Sequence, residues 1–414
     1  MAQGGQWPTL SDAGIEYLSE SGFLQVSLSG QLDLEAMHVG GAAWAGLVKA
    51  ENAEGIPPNW TDCTFCHVDL DYEGRKGVVS AHRLRVFADI FLGDHLYSLV
   101  EVRSDRGHGP ANASPKVRVE QAYLRLATSS GRLGVQVGRF ASPFGSYALR
   151  HLTVVDPFIR PPLPYEYRTV MVRPHVADGA GAIASWQDWQ FIFRTEGAPP
   201  VWDVPYQAGA MVFGSLGPVD LRAAAMGSAP SSGPEDWGFD WDRLTRPSWV
   251  FGARTRLSPA LELGASYSRG PWMQEPYQAT VPPPATSFRD FDQQIVSADV
   301  SYLQGPMMLR AEAMIDYWEV PPLDQRLRDL SYTAEIQWDL LAGISAAARF
   351  GLIDFGPMTA WGRTLDWDRD VYRMEGSLGY RLVRNAGVMV SAYQQNVRGA
   401  EGTRFVGARL WYAF

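Results

Sequence analysis

Residues 24 to 35 read Leu24-Gln25-Val26-Ser27-Leu28-Ser29-Gly30-Gln31-Leu32-Asp33-Leu34-Glu35. Leu24, Val26, Leu28, Leu32 and Leu34 occupy one face of an extended chain, and Gln25, Ser27, Ser29, Gln31, Asp33 and Glu35 the other. A period of two marks a strand with one oily and one wet side, whereas a helix would gather its apolar residues three and four apart. The same alternation returns further along. Leu84, Val86, Ala88, Ile90 and Leu92 oppose Arg83, Arg85 and Asp89; Tyr332, Ala334, Ile336, Trp338 and Leu340 oppose Ser331, Thr333, Glu335, Gln337 and Asp339; Tyr372, Met374, Leu378, Tyr380 and Leu382 oppose Arg373, Glu375, Ser377 and Arg381.

Any one such segment fits a soluble sheet, but their spread over the chain does not. Short breaks at Gly93-Asp94, Ser129 to Gly131, Gln187-Asp188, Gly217-Pro218, Ser258-Pro259, Gly305-Pro306, Ala342-Gly343 and Asn385 to Gly387 alternate with longer polar connections. The longer ones fall at 36–79, 104–115, 141–177, 197–204, 228–246, 270–290, 318–328, 355–368 and 396–402. Short turns at one end and long loops at the other predict an all-β fold, a transmembrane antiparallel β-barrel of about 16–18 strands with long extracellular loops. The barrel is expected over 22–414, preceded by an N-terminal periplasmic segment over 1–21, in the outer membrane of a Gram-negative bacterium and in contact with its lipid. Trp318, Trp338, Tyr380 and Trp411 sit near strand ends, where an aromatic girdle would lie.

Composition agrees. No run approaches the ~18 apolar residues of a membrane helix, and 15 Trp, 17 Tyr, 18 Phe and 41 Gly suit strands and tight turns. A net charge of −9 provides no basic stripe for nucleic acid, which is excluded as a partner. Met1 to Gly5 contain neither a charged nor an apolar export region, so an export signal is expected to have been removed ahead of them. No Ser, His and carboxylate constellation points to an enzyme.

The chain closes on Val406, Ala408, Leu410, Tyr412 and Phe414 on one face and Arg409 on the other, which resembles the C-terminal strand signal of bacterial outer-membrane barrels. Val135 to Phe140, ending in Gly138-Arg139-Phe140, runs through Ala141-Ser142-Pro143-Phe144-Gly145 into a long loop. This passage resembles the turn into the third loop of porins of the phosphate-selective (polyphosphate) type. The resemblance implies that residues 141–177 fold into the lumen and narrow it, with Arg150, His151, Arg160, Arg168 and Arg173 as candidate constriction residues, joined by His175 and opposed by Asp156 and Glu166. An arginine-biased constriction would favour anions; the other reading is that wall carboxylates such as Glu101 or Glu312 satisfy these arginines. Phosphate selectivity is not implied, because the chain has only three lysines, Lys49, Lys76 and Lys116. Related porins are often trimers, so a homotrimer is one assembly the resemblance allows.

One motif carries chemistry. Both cysteines, Cys63 and Cys66, precede His67 in a CxxCH pattern. Two thiols three residues apart can add to the two vinyl groups of one haem while the adjacent His ligates the iron, giving a covalently attached haem c. A Cys63–Cys66 disulfide clip and a zinc site drawing on Asp62, Asp69 or Asp71 remain open. Met37, His38, His82 and His108 are candidate second axial ligands. A single CxxCH ahead of a barrel is similar to the porin-cytochrome fusions of iron-oxidising bacteria, which implies an electron conduit with periplasmic or extracellular electron carriers as partners. Here a strand precedes the motif, so the haem would sit in the first loop, 36–79. The competing function is a passive diffusion porin for small solutes.

Overall fold

The computed structural model describes residues 14–40, 79–106, 116–173, 179–187, 197–275, 281, 284–321, 323–400 and 402–414. A short strand, β1 (Ile15–Leu18), precedes β2 (Leu24–Gly40), β3 (Val79–Leu92), β4 (Leu96–Arg106), β5 (Lys116–Ala127), β6 (Leu133–Ala141), β7 (Tyr206–Leu216), β8 (Val219–Met226), β9 (Ser248–Arg256), β10 (Leu261–Pro271), β11 (Asp292–Gln304), β12 (Met307–Trp318), β13 (Leu327–Leu341) and β14 (Ile344–Phe355). A small hairpin, β15 (Pro357–Ala360) and β16 (Arg363–Asp366), stands apart before β17 (Val371–Val383), β18 (Ala386–Val397) and β19 (Thr403–Ala413). Every neighbouring pair from β2 to β19 in the wall is antiparallel, and β19 returns to β2 in the register Arg409↔Glu35. The result is a closed barrel of sixteen strands. Closure leaves no free edge, which is what a sheet needs in hydrocarbon, where no water can satisfy an unpaired backbone group.

β1 lies on the same edge of β2 as β19, with Ile15↔Leu28 below Ala413↔Gln31. The carbonyl of Phe414 accepts from Gly30 N at 2.7 Å and its N–H donates back at 2.9 Å. β1 and the C-terminal Phe414 therefore lie toward the side of the short turns, the periplasmic side. Seven expected turns are present there, and Gly93 at φ 58° and Gly305 at φ 58° adopt the left-handed backbone that tight hairpins require.

The alternation resolves into an oily outside and a polar inside. Leu124, Val137, Met374 and Leu378 are more than half exposed on the outer face, whereas Glu101, Glu120, Asp316, Arg349, Glu375 and Arg409 face the lumen and are buried. An outward apolar surface of this extent on a closed barrel places the chain in a membrane, and the outer membrane is where such barrels reside. Trp338 and Tyr380 face outward as a periplasmic girdle requires. Trp318 and Trp411 do not belong to a girdle: they share the parity of the lumenal residues and are buried at 0% and 8% exposure.

The sequence pattern also implied a hairpin around Gln187-Asp188, and that is corrected. Ala180–Trp186 is a helix, with Ile183 and Ala184 buried against loop residues, because this alanine-rich stretch packs among other loops and has no lipid face to impose alternation. The expected loops 141–177 and 197–204 are thereby parts of one connection, 142–205, between β6 and β7.

Candidate functional site

That third connection descends into the barrel. Gly145 starts it at φ 72°, where a side chain would collide with the Tyr165 hydroxyl 2.3 Å from the added carbon. Gly145 N donates to Ser266 Oγ at 2.9 Å. Glu312 on β12 then staples the loop root, accepting from Ser146 N at 2.8 Å and from the Tyr165 hydroxyl at 2.9 Å.

On the far wall the loop backbone is held by arginines. Arg409 donates to the Ile159 carbonyl at 2.9 Å while its Nε pairs with Glu35 at 2.7 Å. Arg349 donates to the Arg160 carbonyl at 2.6 Å and lies 4.1 Å over the Phe158 ring. Arg373 pairs with Glu166 at 2.6 Å, Ser377 donates to the Pro157 carbonyl, and Thr153 Oγ1 donates to Asp33 at 2.9 Å. A planar fork suits arginine to capture carbonyl and carboxylate together. These contacts fasten the loop across the lumen from β10 round to β2.

The five candidate constriction residues all lie on this loop, but each is engaged. Arg150 pairs with Glu335 at 3.1 Å and Arg160 with Glu166. Arg168 stacks 3.6 Å over the Trp202 ring, and Arg173 pairs with Asp236 at 3.1 Å and with Glu235. His151 Nδ1 lies 2.8 Å from the Ala148 carbonyl and its Nε2 2.7 Å from the Tyr206 hydroxyl. Burial, with Arg85 close by, holds the His151 imidazole well below its ordinary range, so it is neutral: Nδ1–H donates to Ala148 and Nε2 accepts from Tyr206. Burial also pushes the Asp156 carboxyl up to about 6, against the pull of Arg349 and Arg150. His175 lies outside the described residues. Of the carboxylates expected to satisfy the loop, Glu312 holds its hydroxyls, whereas Glu101 turns to the wall, 3.7 Å from Arg85.

Opposite the loop stands an arginine wall that loop-centred reading missed. Arg85 on β3, Arg103 on β4, Arg118 on β5 and Arg139 on β6 interleave with Glu101, Asp105 and Glu120, for example Arg103–Glu120 at 3.5 Å, Arg118–Asp105 at 3.3 Å and Arg139–Glu120 at 3.7 Å. Arg83 has no hydrogen bond or ion pair among the described residues, and a buried Arg85 amino group is likewise unpartnered. Half-buried Asp203, at φ 30°, is the loop carboxylate within electrostatic reach of Arg83 and Arg103. A non-glycine residue in this region costs of order 1–3 kcal/mol and persists where the surroundings impose it. The parity of Arg83 and Arg85 was a usable signal in the sequence; their neighbours on β4 to β6 needed the register.

Cys63, Cys66, His67 and His108 lie outside the described residues. Of the other candidate ligands, Met37 faces the lumen, buried with Ala81, Ile159, Met389 and Phe405, while His38 and His82 stand on the outward parity of β2 and β3.

No protein-family model matches the chain, and no curated protein matches it in sequence. Solved structures do match. An anion-selective porin from Comamonas acidovorans is 12% identical at TM-score 0.54, covering 94% of this chain and 100% of its own. The outer membrane channel DcaP of Acinetobacter baumannii is 11% identical at TM-score 0.53, covering 96% and 99%. OmpT of Vibrio cholerae, in a trimer form, is 11% identical at TM-score 0.53, covering 94% and 99%. Likeness at this identity is one of architecture: the chain has the sixteen-strand barrel fold of outer-membrane porins.

Proposed function

We propose that this outer-membrane barrel carries one covalently attached c-type haem on its first outer connection and serves as an electron conduit more than as an open pore. The observation that carries the reading is the position of Cys63, Cys66 and His67 between Gly40 and Val79, the ends of β2 and β3 at the outer mouth. The third connection fastened across the lumen supports it, since electrons need no solute path past the loop. Cys63 and Cys66 would hold the group by thioether bonds and His67 by its imidazole, with Met37, His38 and His82 as candidates for the second ligand. A haem so held supplies one-electron exchange, at a higher potential with Met than with a second His. Periplasmic or extracellular carriers would be the partners, and a homotrimer is compatible with the fold. In a host that matures cytochromes c, the denatured chain should stain for haem peroxidase activity and the Cys63→Ala, Cys66→Ala variant should not. An unstained wild-type band removes the haem.

A second reading is favoured by the wall of Arg83, Arg85, Arg103, Arg118 and Arg139 facing Asp203. It is a passive porin for small anionic solutes, with a Cys63–Cys66 disulfide and with Arg150, His151, Arg160, Arg168 and Arg173 shaping the constriction. Anion-over-cation permeability in planar bilayers, with no haem stain, would select it.

A further inference from the structure

We propose that Asp316 and Asp329 form a proton-sharing carboxylate pair that fastens the outer seal of the barrel and releases it as the pH rises. The two are direct cross-strand partners on β12 and β13. Both point into the lumen near its outer end, at 0% and 1% exposure. Residues so placed have Cβ atoms about 4.5–5.5 Å apart, where like charges repel.

Their surroundings supply hydrogen bonds but almost no positive charge. Gln293 on β11 donates its amide to Asp316 Oδ2 at 2.6 Å, and the Trp318 indole donates to Asp329 Oδ2 at 2.9 Å. Beyond these, the buried Ser331 hydroxyl lies beside Asp329 and the Tyr317 backbone N–H beside Asp316. The charged groups facing the pair from the neighbouring elements are Asp368, from the connection after β14, and Arg328, whose own side chain is exposed on the outward parity of β13. Two ionised carboxylates cannot persist side by side in such a pocket, and a single proton between them removes the conflict, as in other close carboxylate pairs. A metal ion is the less apt occupant, because no group of three or more metal-ligating side chains forms among the described residues.

The pair sits at the joint of the seal. Trp318 packs edge-to-face on Trp272, with ring centroids 5.1 Å apart, inside an apolar cluster that includes Val170, Met171, Phe355 and Trp367. Asp368 accepts from Val170 N of the third connection at 3.0 Å, and Trp367 donates to the Arg328 carbonyl at 2.7 Å. Loss of the shared proton places a second negative charge beside Asp368 at the point where the wall, the third connection and the β15–β16 hairpin meet. That junction then loosens.

The test is conductance of the purified full chain in planar lipid bilayers, titrated from about pH 6 to about pH 9, where buried carboxylates titrate. The wild type should show a reversible, severalfold rise. Asp316→Asn should stay low and flat, because its amide donates to Asp329 at every pH; Asp329→Asn should behave alike, and heat-shifted gel mobility confirms that each variant is folded. A flat wild type overturns the proposal, as does a rise retained in both variants. A rise produced by EDTA at fixed pH assigns the pair to a cation and overturns it equally. None of these readings depends on haem.

Discussion

The outer and inner halves of the lumen are lined by the same strands with the same alternation, yet many of their charged residues differ in how far they are covered. In the outer half, Glu35, Arg349, Glu375 and Arg409 are buried under the third connection. In the inner half, Arg125, Arg222 and Arg310 are only partly covered, and Asp339 and Arg381 are exposed. The difference lies in the loops. A wall made polar for water has been dried at one end, and each polar group there needed a protein partner in place of the water it lost.

The most severe way to test this contrast is to remove one arginine from each half. Arg409→Ala removes the buried ion pair with Glu35 and frees the Ile159 carbonyl, so it should cost about 3 kcal/mol or more, read as a lowered thermal transition of the folded barrel in detergent. Arg381→Ala, exposed near the periplasmic end, should cost under about 0.5 kcal/mol. Equal costs would refute the division into dry and wet halves.

A smaller effect follows from Asp156, whose carboxyl burial raises to about 6. Between the ordinary carboxylate range and that value the folded loop binds more protons than the unfolded chain. Its stability contribution is therefore fully present at lower pH, declines as the pH rises toward 6, and is constant above. The thermal transition should show this slope in the wild type and lose it in Asp156→Asn. The smallest effect belongs outside both halves. Trp361 turns the β15–β16 hairpin at φ 52° with its ring exposed, so Trp361→Gly should relieve strain and stabilise by about 1 kcal/mol or less, offset by the lost contact on Gly181.

Much of this was legible in the sequence because lipid enforces a strict code. Where one face of a strand meets hydrocarbon, as at Leu24 to Leu34 or Tyr372 to Leu382, period two is obligatory and the eye can count it. Residues 179–187 escape that code, since they are enclosed among loops, and Gln187-Asp188 then mimics a turn that the helix Ala180–Trp186 replaces. Trp318 was misassigned for a different reason. Position near a strand end suggested a girdle, but its parity with Glu312 and Asp316 already placed it inside. The arginine wall required a third kind of information, the register that sets Arg103 opposite Arg118 and the bulge at Glu120 that brings its carboxylate to Arg103. Ion-pair partners such as Arg409 and Glu35, at opposite ends of the chain, become neighbours only when the barrel closes.

Closure has one more consequence. Phe414 sits opposite Gly30 and Ile15 opposite Leu28, so β19 and β1 share a single slot in the wall, interrupted by a nick about two residues wide. Topologically the barrel is a ring that has been cut once. Joining Phe414 to Ile15 across the nick, with the chain opened instead at the Gly305-Pro306 turn, would leave every strand pairing in place. For this architecture the order of strands around the ring matters, and the point at which the wall is cut does not.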